Sequence, residues 1–173
     1  MDLATNRQFG LTGSAVDRYY AWDGTEVGGR QALEIDDLQT LTGLTVVVDL
    51  DNDGVYEETL VNGTDFDLYP FNAAAEGKPY THLVMRTWTT SGTVFLPTTP
   101  LSVKVTANWG WSTVPTVVKQ ATLLQASRFF ARRNSPYGIA GSPELGNEMR
   151  LLERLDPDVA IMLRTVKRHW AAA

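Results

Sequence analysis

The sequence has no cysteine and only two histidines in 173 residues. Without thiols, disulfides and thiolate metal sites are excluded, and the chain is silent about its redox compartment. His82 and His169 lie near no Gly-x-Ser-x-Gly, His-Glu-x-x-His or Walker loop, and two histidines are too few for a histidine-rich metal centre. The glycines of Gly24–Gly29 are not followed by Gly-Lys-Ser/Thr, so they do not form a phosphate loop. Acidic residues are plentiful, but nothing singles out a pair for acid–base work. No enzyme and no cofactor are expected. No apolar run reaches 18 residues, so no spanning helix is expected either, and the acidic opening Met1-Asp2-Leu3 does not read as a secretory signal.

What is present suits a single folded domain, or one with a sizeable excursion: 43% hydrophobic residues and 10% aromatics. The net charge of −5 conceals a split. Residues 1–112 hold 6 Lys/Arg against 15 Asp/Glu, and residues 113–173 hold 9 against 5. An acidic front and a basic back can steer assembly with a complementary partner. The plainer account is that turns favour Asp while helices carry Arg.

Leu101–Asn134 organises the rest. Val103 and Val105 alternate with Lys104 and Thr106, the period of a half-buried strand. Trp109-Gly110-Trp111 then turns the chain, with Gly110 supplying backbone freedom that the flanking indoles lack. Ser112 or Thr113 is the expected N-cap and Pro115 the first-turn proline of a long helix. That helix carries two apolar stripes. Val114, Val117, Val118, Ala121 and Leu124 share one face, and Leu123, Ala126 and Phe130 lie roughly opposite. A surface helix of a monomer normally shows one stripe, so two mean either a central core helix or a subunit contact.

Before it, the chain reads as mostly β. Met1–Gln8 is expected to hold a last helical turn or two, stopped at Gly10. Strands are expected at Ala15–Trp22, Gln31–Ile35, Asp65–Pro70, His82–Thr87 and Thr93–Leu96, with a loop at Gly24–Arg30 and a polar connection at Asp36-Asp37. The clearest hairpin pairs Leu44–Leu50 with Val55–Val61 across Asp51-Asn52-Asp53-Gly54. After it, a loop over Ser135–Ser142 leads to a helix from Ser142-Pro143-Glu144 to Leu155, and Asp156-Pro157-Asp158 starts the last one. There Val159, Met162, Leu163, Val166 and Trp170 share a face, while Arg164, Lys167 and Arg168 load the C-terminal end. The expected class is α+β: a short N-terminal helical stub (1–10), a β-rich domain (11–108), a long helix (109–134) and a C-terminal helical segment (135–173), giving a bundle of about three helices.

Three features bear on chemistry. Asp49, Asp51 and Asp53 with Gly54 match the front of a calcium loop, yet Leu60 stands where the bidentate acid belongs, so an acidic hairpin turn is the simpler reading. Arg128, Arg132 and Arg133 end the long helix and offer a surface for loose electrostatic contact with DNA, although helix C-termini favour cations in any case. Five tryptophans suit a core, an interface or a sugar platform, and Trp170, so near the terminus, needs something to bury it.

Taken together, these residues resemble the head-to-tail connector (adaptor) family of long-tailed, siphovirus-type bacteriophages. The distinctive part is Val103–Arg133: a Val-x-Val-Thr-Ala strand, the Trp-Gly-Trp turn, Val-Pro at a helix start and an Ala/Leu-rich helix ending in arginines. Asn6–Gly10 with Arg18-Tyr19-Tyr20, Asp65–Asn72 and Leu155-Asp156-Pro157-Asp158-Val159 are similar to other family segments, so the likeness spans nearly the whole chain. One departure is that members commonly carry an N-terminal helical segment before the Arg-x-Phe-Gly stretch, and almost none of it is present. Either that segment is short in this chain or the true start lies upstream.

The resemblance implies a structural virion protein, found in the host cytoplasm during assembly. It would form a homo-oligomeric ring, typically of twelve copies, beneath the portal, linking capsid to neck and tail and lining the channel for packaging and ejection. Partners would be the portal protein, the next neck component (a stopper or tail terminator) and, transiently and non-specifically, DNA passing Arg128, Arg132 and Arg133. The portal contact would fall on the last helix, at Val159, Met162, Leu163, Arg164, Val166, Lys167, Arg168 and Trp170. Subunit contacts would fall on Trp109, Trp111, Val117, Leu123, Ala126 and Phe130. Alternatives are a stopper or tail-completion protein and, in another class, a calcium- or carbohydrate-binding β-module.

Overall fold

A computed structural model of the chain describes residues 1–86, 95–133, 139–140, 149–150 and 155–168. Its class is α+β. The chain divides into two compact units, Gln8–Thr113, and Met1–Arg7 together with Val114–Ala173. The first seven residues therefore belong with the helical tail, and the boundaries expected at 10 and 108 move to 7 and 113.

In Gln8–Thr113, eight strands form two antiparallel sheets. The strands are β1 (Val16–Tyr20), β2 (Glu26–Val27), β3 (Arg30–Leu38), β4 (Thr45–Val48), β5 (Glu58–Leu60), β6 (Phe66–Tyr69), β7 (Tyr80–Met85) and β8 (Val103–Ala107). Their orders are β1-β8-β4-β5 and β2-β3-β7-β6. Burial alternates along β8 and β4, as the period-2 patterning of both segments predicts. Leu33, Ile35, Phe66 and Leu83 of one sheet join Val46, Val48, Val103 and Val105 of the other in a single core.

Several expectations are corrected. The Gly24–Arg30 loop is a hairpin: β2 meets β3 across Gly28 and Gly29, both at positive φ. Asp36-Asp37 is no connection, because β3 runs through it to Leu38 with a register shift between Glu34 and Leu38. The two carboxylates are tolerated in a strand because other segments supply their partners. Arg18 Nη1 lies 2.6 Å from Asp36, and Trp111 Nε1 donates to the buried Asp37 at 2.8 Å. Phe95–Leu96 is not a strand, and residues 87–94 lie outside the described residues.

Trp109-Gly110-Trp111 is clamped rather than merely turned. Trp111 N–H donates to Gln8 O, Thr12 N–H to Trp109 O, and Gly110 N–H to Asp37 O. Gly110 has φ +102°, and a Cβ there would lie 2.0 Å from Gly10 O. Only glycine fits.

The second unit contains α1 (Asp2–Thr5), α2 (Thr116–Arg132), α3 (Pro157–Leu163) and a short pairing of β9 (Ile139–Ala140) with β10 (Met149–Arg150). α1 stops at Asn6, in the left-handed conformation at φ 54°, before Gly10 is reached. α2 begins after Pro115 with no side-chain cap. Ser112 is engaged elsewhere, donating its N–H and hydroxyl to Gln39 Oε1. The helix expected through Leu155 is interrupted at Met149–Arg150, which is a strand, and its other residues from Ser142 to Arg154 lie outside the described residues. α3 starts as its Asp-Pro-Asp signal predicts: Asp156 Oδ1 accepts from Asp158 N–H at 2.9 Å. It ends at Leu163, short of Trp170, which lies outside the described residues.

The chain's beginning and end are sewn together within this unit. Arg7 Nε donates to Val166 O at 2.6 Å, and Arg168 N–H donates to Thr5 O at 2.8 Å. α3 is fixed to α2 where Gln125 Oε1 accepts from Asp156 N–H and Arg128 pairs with Asp156 and Asp158.

Candidate functional site

α2 resolves its two stripes unequally. Val118 and Ala121 are buried, and Val114, Val117 and Leu124 are half-buried. The opposite stripe is in solvent: Leu123 is 71% and Phe130 64% exposed, with Ala126 between them. Lys119 and Arg133 extend this stripe at each end, and the Arg133 guanidinium stacks 4.0 Å from the Phe130 ring centre. The spacing of 119, 123, 126, 130 and 133 alternates four and three residues, the period of a seam that faces another element. An open apolar groove of about 370 Å³ adjoins this stripe at Ala126 and is lined also by Leu3, Ala4, Thr122 and Phe129.

Trp109 and Trp111, read as subunit-contact residues, are instead buried within the β unit. Their indole N–H groups donate to Val16 O at 2.7 Å and to Asp37, and Trp109 packs against Tyr20 and Arg18. The residue pattern alone does not separate a core indole from an interface indole, since both favour large aromatics.

The last helix divides similarly. Val159 and Leu163 are buried, so they present no surface. Met162 and Val166 are half-buried, Arg164 and Lys167 are exposed, and Arg168 is buried. Ile161 is the exposed apolar residue of α3, on a face the helical pattern did not single out. Of the arginines proposed to face DNA, Arg128 is committed to Asp156 and Asp158. Arg133 lies along Phe130, and the Arg132 side chain is outside the description.

The β4–β5 turn gathers four carboxylates, Asp49, Asp51, Asp53 and Glu57, with one oxygen of each within 4.8 Å of the others. Glu57 enters because β5 pairs back along β4, with Glu58 opposite Val48, a return that linear loop spacing does not show. Ordinary turn chemistry accounts for much of the arrangement. Buried Asp49 accepts from Asn52 N–H at 2.6 Å and Gly54 N–H at 2.9 Å, and Asp53 accepts from Val55 N–H at 2.7 Å.

Beside these acids lies an exposed apolar group that the strand patterns did not reveal: Leu50, Val55 and Leu101. Leu101 is 63% exposed and sits at φ 67°, where a non-glycine residue is strained, while its carbonyl accepts from the Tyr56 hydroxyl at 2.7 Å. Tyr56 also pairs with Tyr19 at 6.5 Å, and Lys104 Nζ lies 4.6 Å from its ring centre.

On the other sheet, Arg86 hydrogen-bonds Asp67 and, with Arg30, holds its carboxyl below the usual carboxylate range against some desolvation. Burial, aided by Asp36, pushes the Tyr20 phenol upward. Both are structural groups. His82 lies beside Thr81 Oγ1 and Tyr69, away from the acidic turn's cluster. Among the described residues, no helix is long and apolar enough to cross a membrane. No protein-family model, no curated protein and no solved structure matches the chain.

Proposed function

We propose that this chain is a non-enzymatic assembly subunit, a head-to-tail adaptor that forms a ring beneath a phage portal and joins it to the neck. The observation that carries the reading is the outward stripe of α2. Leu123, Ala126 and Phe130 stand in solvent on the longest helix of the chain, aligned at the spacing of a packing seam and bounded by cations. A subunit built to be covered by a neighbour accounts for that placement. The charge split along the chain suits head-to-tail contact, in which one patch meets a different patch and the rotation closes.

The portal-facing role falls on the exposed part of the C-terminal segment, Arg164 and Lys167 with Ile161. The test is negative-stain imaging and native mass of the chain alone and mixed with a purified portal ring of its phage. A ring, or capture in the portal's symmetry, supports the adaptor. A monomer that ignores the portal and binds tail components instead moves the assignment to a stopper or tail-completion protein. Removing residues 164–173 should abolish capture while the β unit stays folded, and unchanged capture would remove that segment from the portal contact.

A second reading has one observation in its favour, the four convergent carboxylates of the β4–β5 turn. Calcium takes six or more oxygens, and Asp49 already uses both of its own on backbone N–H groups. Calorimetry with calcium separates the classes: heat and a raised melting temperature would favour a calcium-binding module, and their absence the acidic turn.

A further inference from the structure

Two surfaces of this chain are complementary. The first is the α2 seam, Lys119-Leu123-Ala126-Phe130-Arg133, about 21 Å long at 1.5 Å per residue. Its apolar centre is closed at both ends by cations, and neither Lys119 nor Arg133 makes an ion pair among the described residues. The second is the β4–β5 tip. Leu50, Val55 and Leu101 are exposed there beside Asp51, Asp53 and Glu57; residues 45–61 contain no Lys or Arg, and the nearby Lys104 is stacked on Tyr56.

The seam's charge pattern decides what can cover it. Against a second α2 in antiparallel orientation, Lys119 would face Arg133 of the other copy. In parallel orientation each cation would face its own equivalent. Both pairings bury like charges beside an apolar strip, which disfavours a two-fold α2–α2 contact. An occupant must therefore be apolar and carry acidic charge beside its apolar part. The β4–β5 tip has both properties.

We infer that the β4–β5 tip of one copy docks on the α2 seam of the next, with Leu50, Val55 and Leu101 covering the strip at Phe130 and the Asp51–Asp53 cluster meeting Arg133, which lies along that ring, while Lys119 adds to the attraction from the far end. The inference rests on the ring-forming reading above and names the surfaces that would close the ring. The contact is heterologous: every copy offers one tip and one seam, so association propagates until the rotation closes. The strained Leu101 then has a role: held at φ 67°, it leaves an apolar side chain exposed at the docking tip.

The test is a charge exchange in the full-length protein, read by sedimentation velocity and native mass. One variant carries D51K and D53K, so both its tip and its seam are cationic. The other carries K119E and R133E, so both are anionic. Each alone should associate at least about tenfold more weakly than the wild type. Mixed in equal amounts, they should recover assembly, with the two variants alternating. D51N with D53N, which keeps turn acceptors while removing charge, and L123D, at an exposed position, guard against misfolding. Both should melt like the wild type and lose assembly.

Variants that assemble as the wild type does, or a folded mixture that fails to recover, would overturn the inference while leaving the adaptor reading intact. A wild type that stays monomeric but is captured by the portal would do the same. A wild type that neither self-associates nor meets the portal removes both.

Discussion

The β unit encloses a large apolar core and the described part of the helical unit a small one, while both leave apolar side chains exposed. In Gln8–Thr113 the core takes in Leu33, Ile35, Phe66, Leu83 and Trp109 with a set of valines from both sheets. In the other unit, the buried apolar residues among those described are Val118, Ala121, Val159 and Leu163, and they share their interior with Thr5, Gln125, Asp156 and Arg168. Leu3, Leu123, Phe129, Phe130 and Ile161 remain exposed there. Burial of apolar area is the main favourable term in folding. With the smaller interior among the described residues, the helical unit gains more from a partner, whereas the β unit rests on a large core of its own and offers local apolar patches such as Leu50, Val55 and Leu101. The division of labour is between a framework and an assembly element.

The largest blow to the framework should come from Trp109→Ala. Its indole is wholly buried and its N–H satisfied by Val16 O, so a loss of about 3–5 kcal/mol is expected in chemical denaturation. Gly110→Ala should cost about 2–4 kcal/mol by the same measure, because the new Cβ meets Gly10 O and the residue must hold φ +102°. In the helical unit, Val159→Ala should cost about 2 kcal/mol, since the cavity opens in a smaller interior with fewer neighbours to hold it. If Val159→Ala proved as damaging as Trp109→Ala, the contrast between the units would collapse.

Leu123→Ala and Phe130→Ala should change the stability of the dissociated chain by no more than about 0.5 kcal/mol while weakening self-association. Equal losses in both measurements would place these residues in a core.

A further effect within the framework concerns Asp67. Arg86 and Arg30 depress its folded-state pKa, so its contribution is present above the ordinary carboxylate value and is lost as pH falls through that value towards the lower folded one. Asp67→Asn should remove about 1 kcal/mol or less at neutral pH and flatten the acid limb of a stability–pH curve. An unchanged acid limb would show that the pair contributes nothing to the framework.

Much of the fold was legible because its signals are local. Val103 and Val105 alternate with polar neighbours, Asp-Gly closes the β4–β5 turn, and Asp156-Pro157-Asp158 starts α3 through a cap two residues long. Misreadings occurred where distant partners changed a residue's meaning. Asp36-Asp37 looked like a connection because the partners Arg18, Tyr20 and Trp111 are far away in sequence. Ser112 looked like a cap, yet Gln39 claims it. Gly28-Gly29 joins β3 to a two-residue strand too short for periodicity to register. At the candidate surfaces, the second stripe of α2 was visible at once, but its solvent exposure was not. The tip's apolar trio was hidden because Leu101 lies 46 positions beyond Val55.

The sequence by itself determined the α+β class, the order of the principal elements, the acidic front and basic back, and the presence of two apolar faces on one helix. Those properties depend on composition and on periods of two and 3.6 residues, which any short window contains. Only the tertiary structure decided which face of α2 is covered, that Trp109 and Trp111 are core, and that Met1–Arg7 closes against Val166 and Arg168. Burial is a property of neighbours, and those neighbours are set by long-range pairing rather than by the residues on either side.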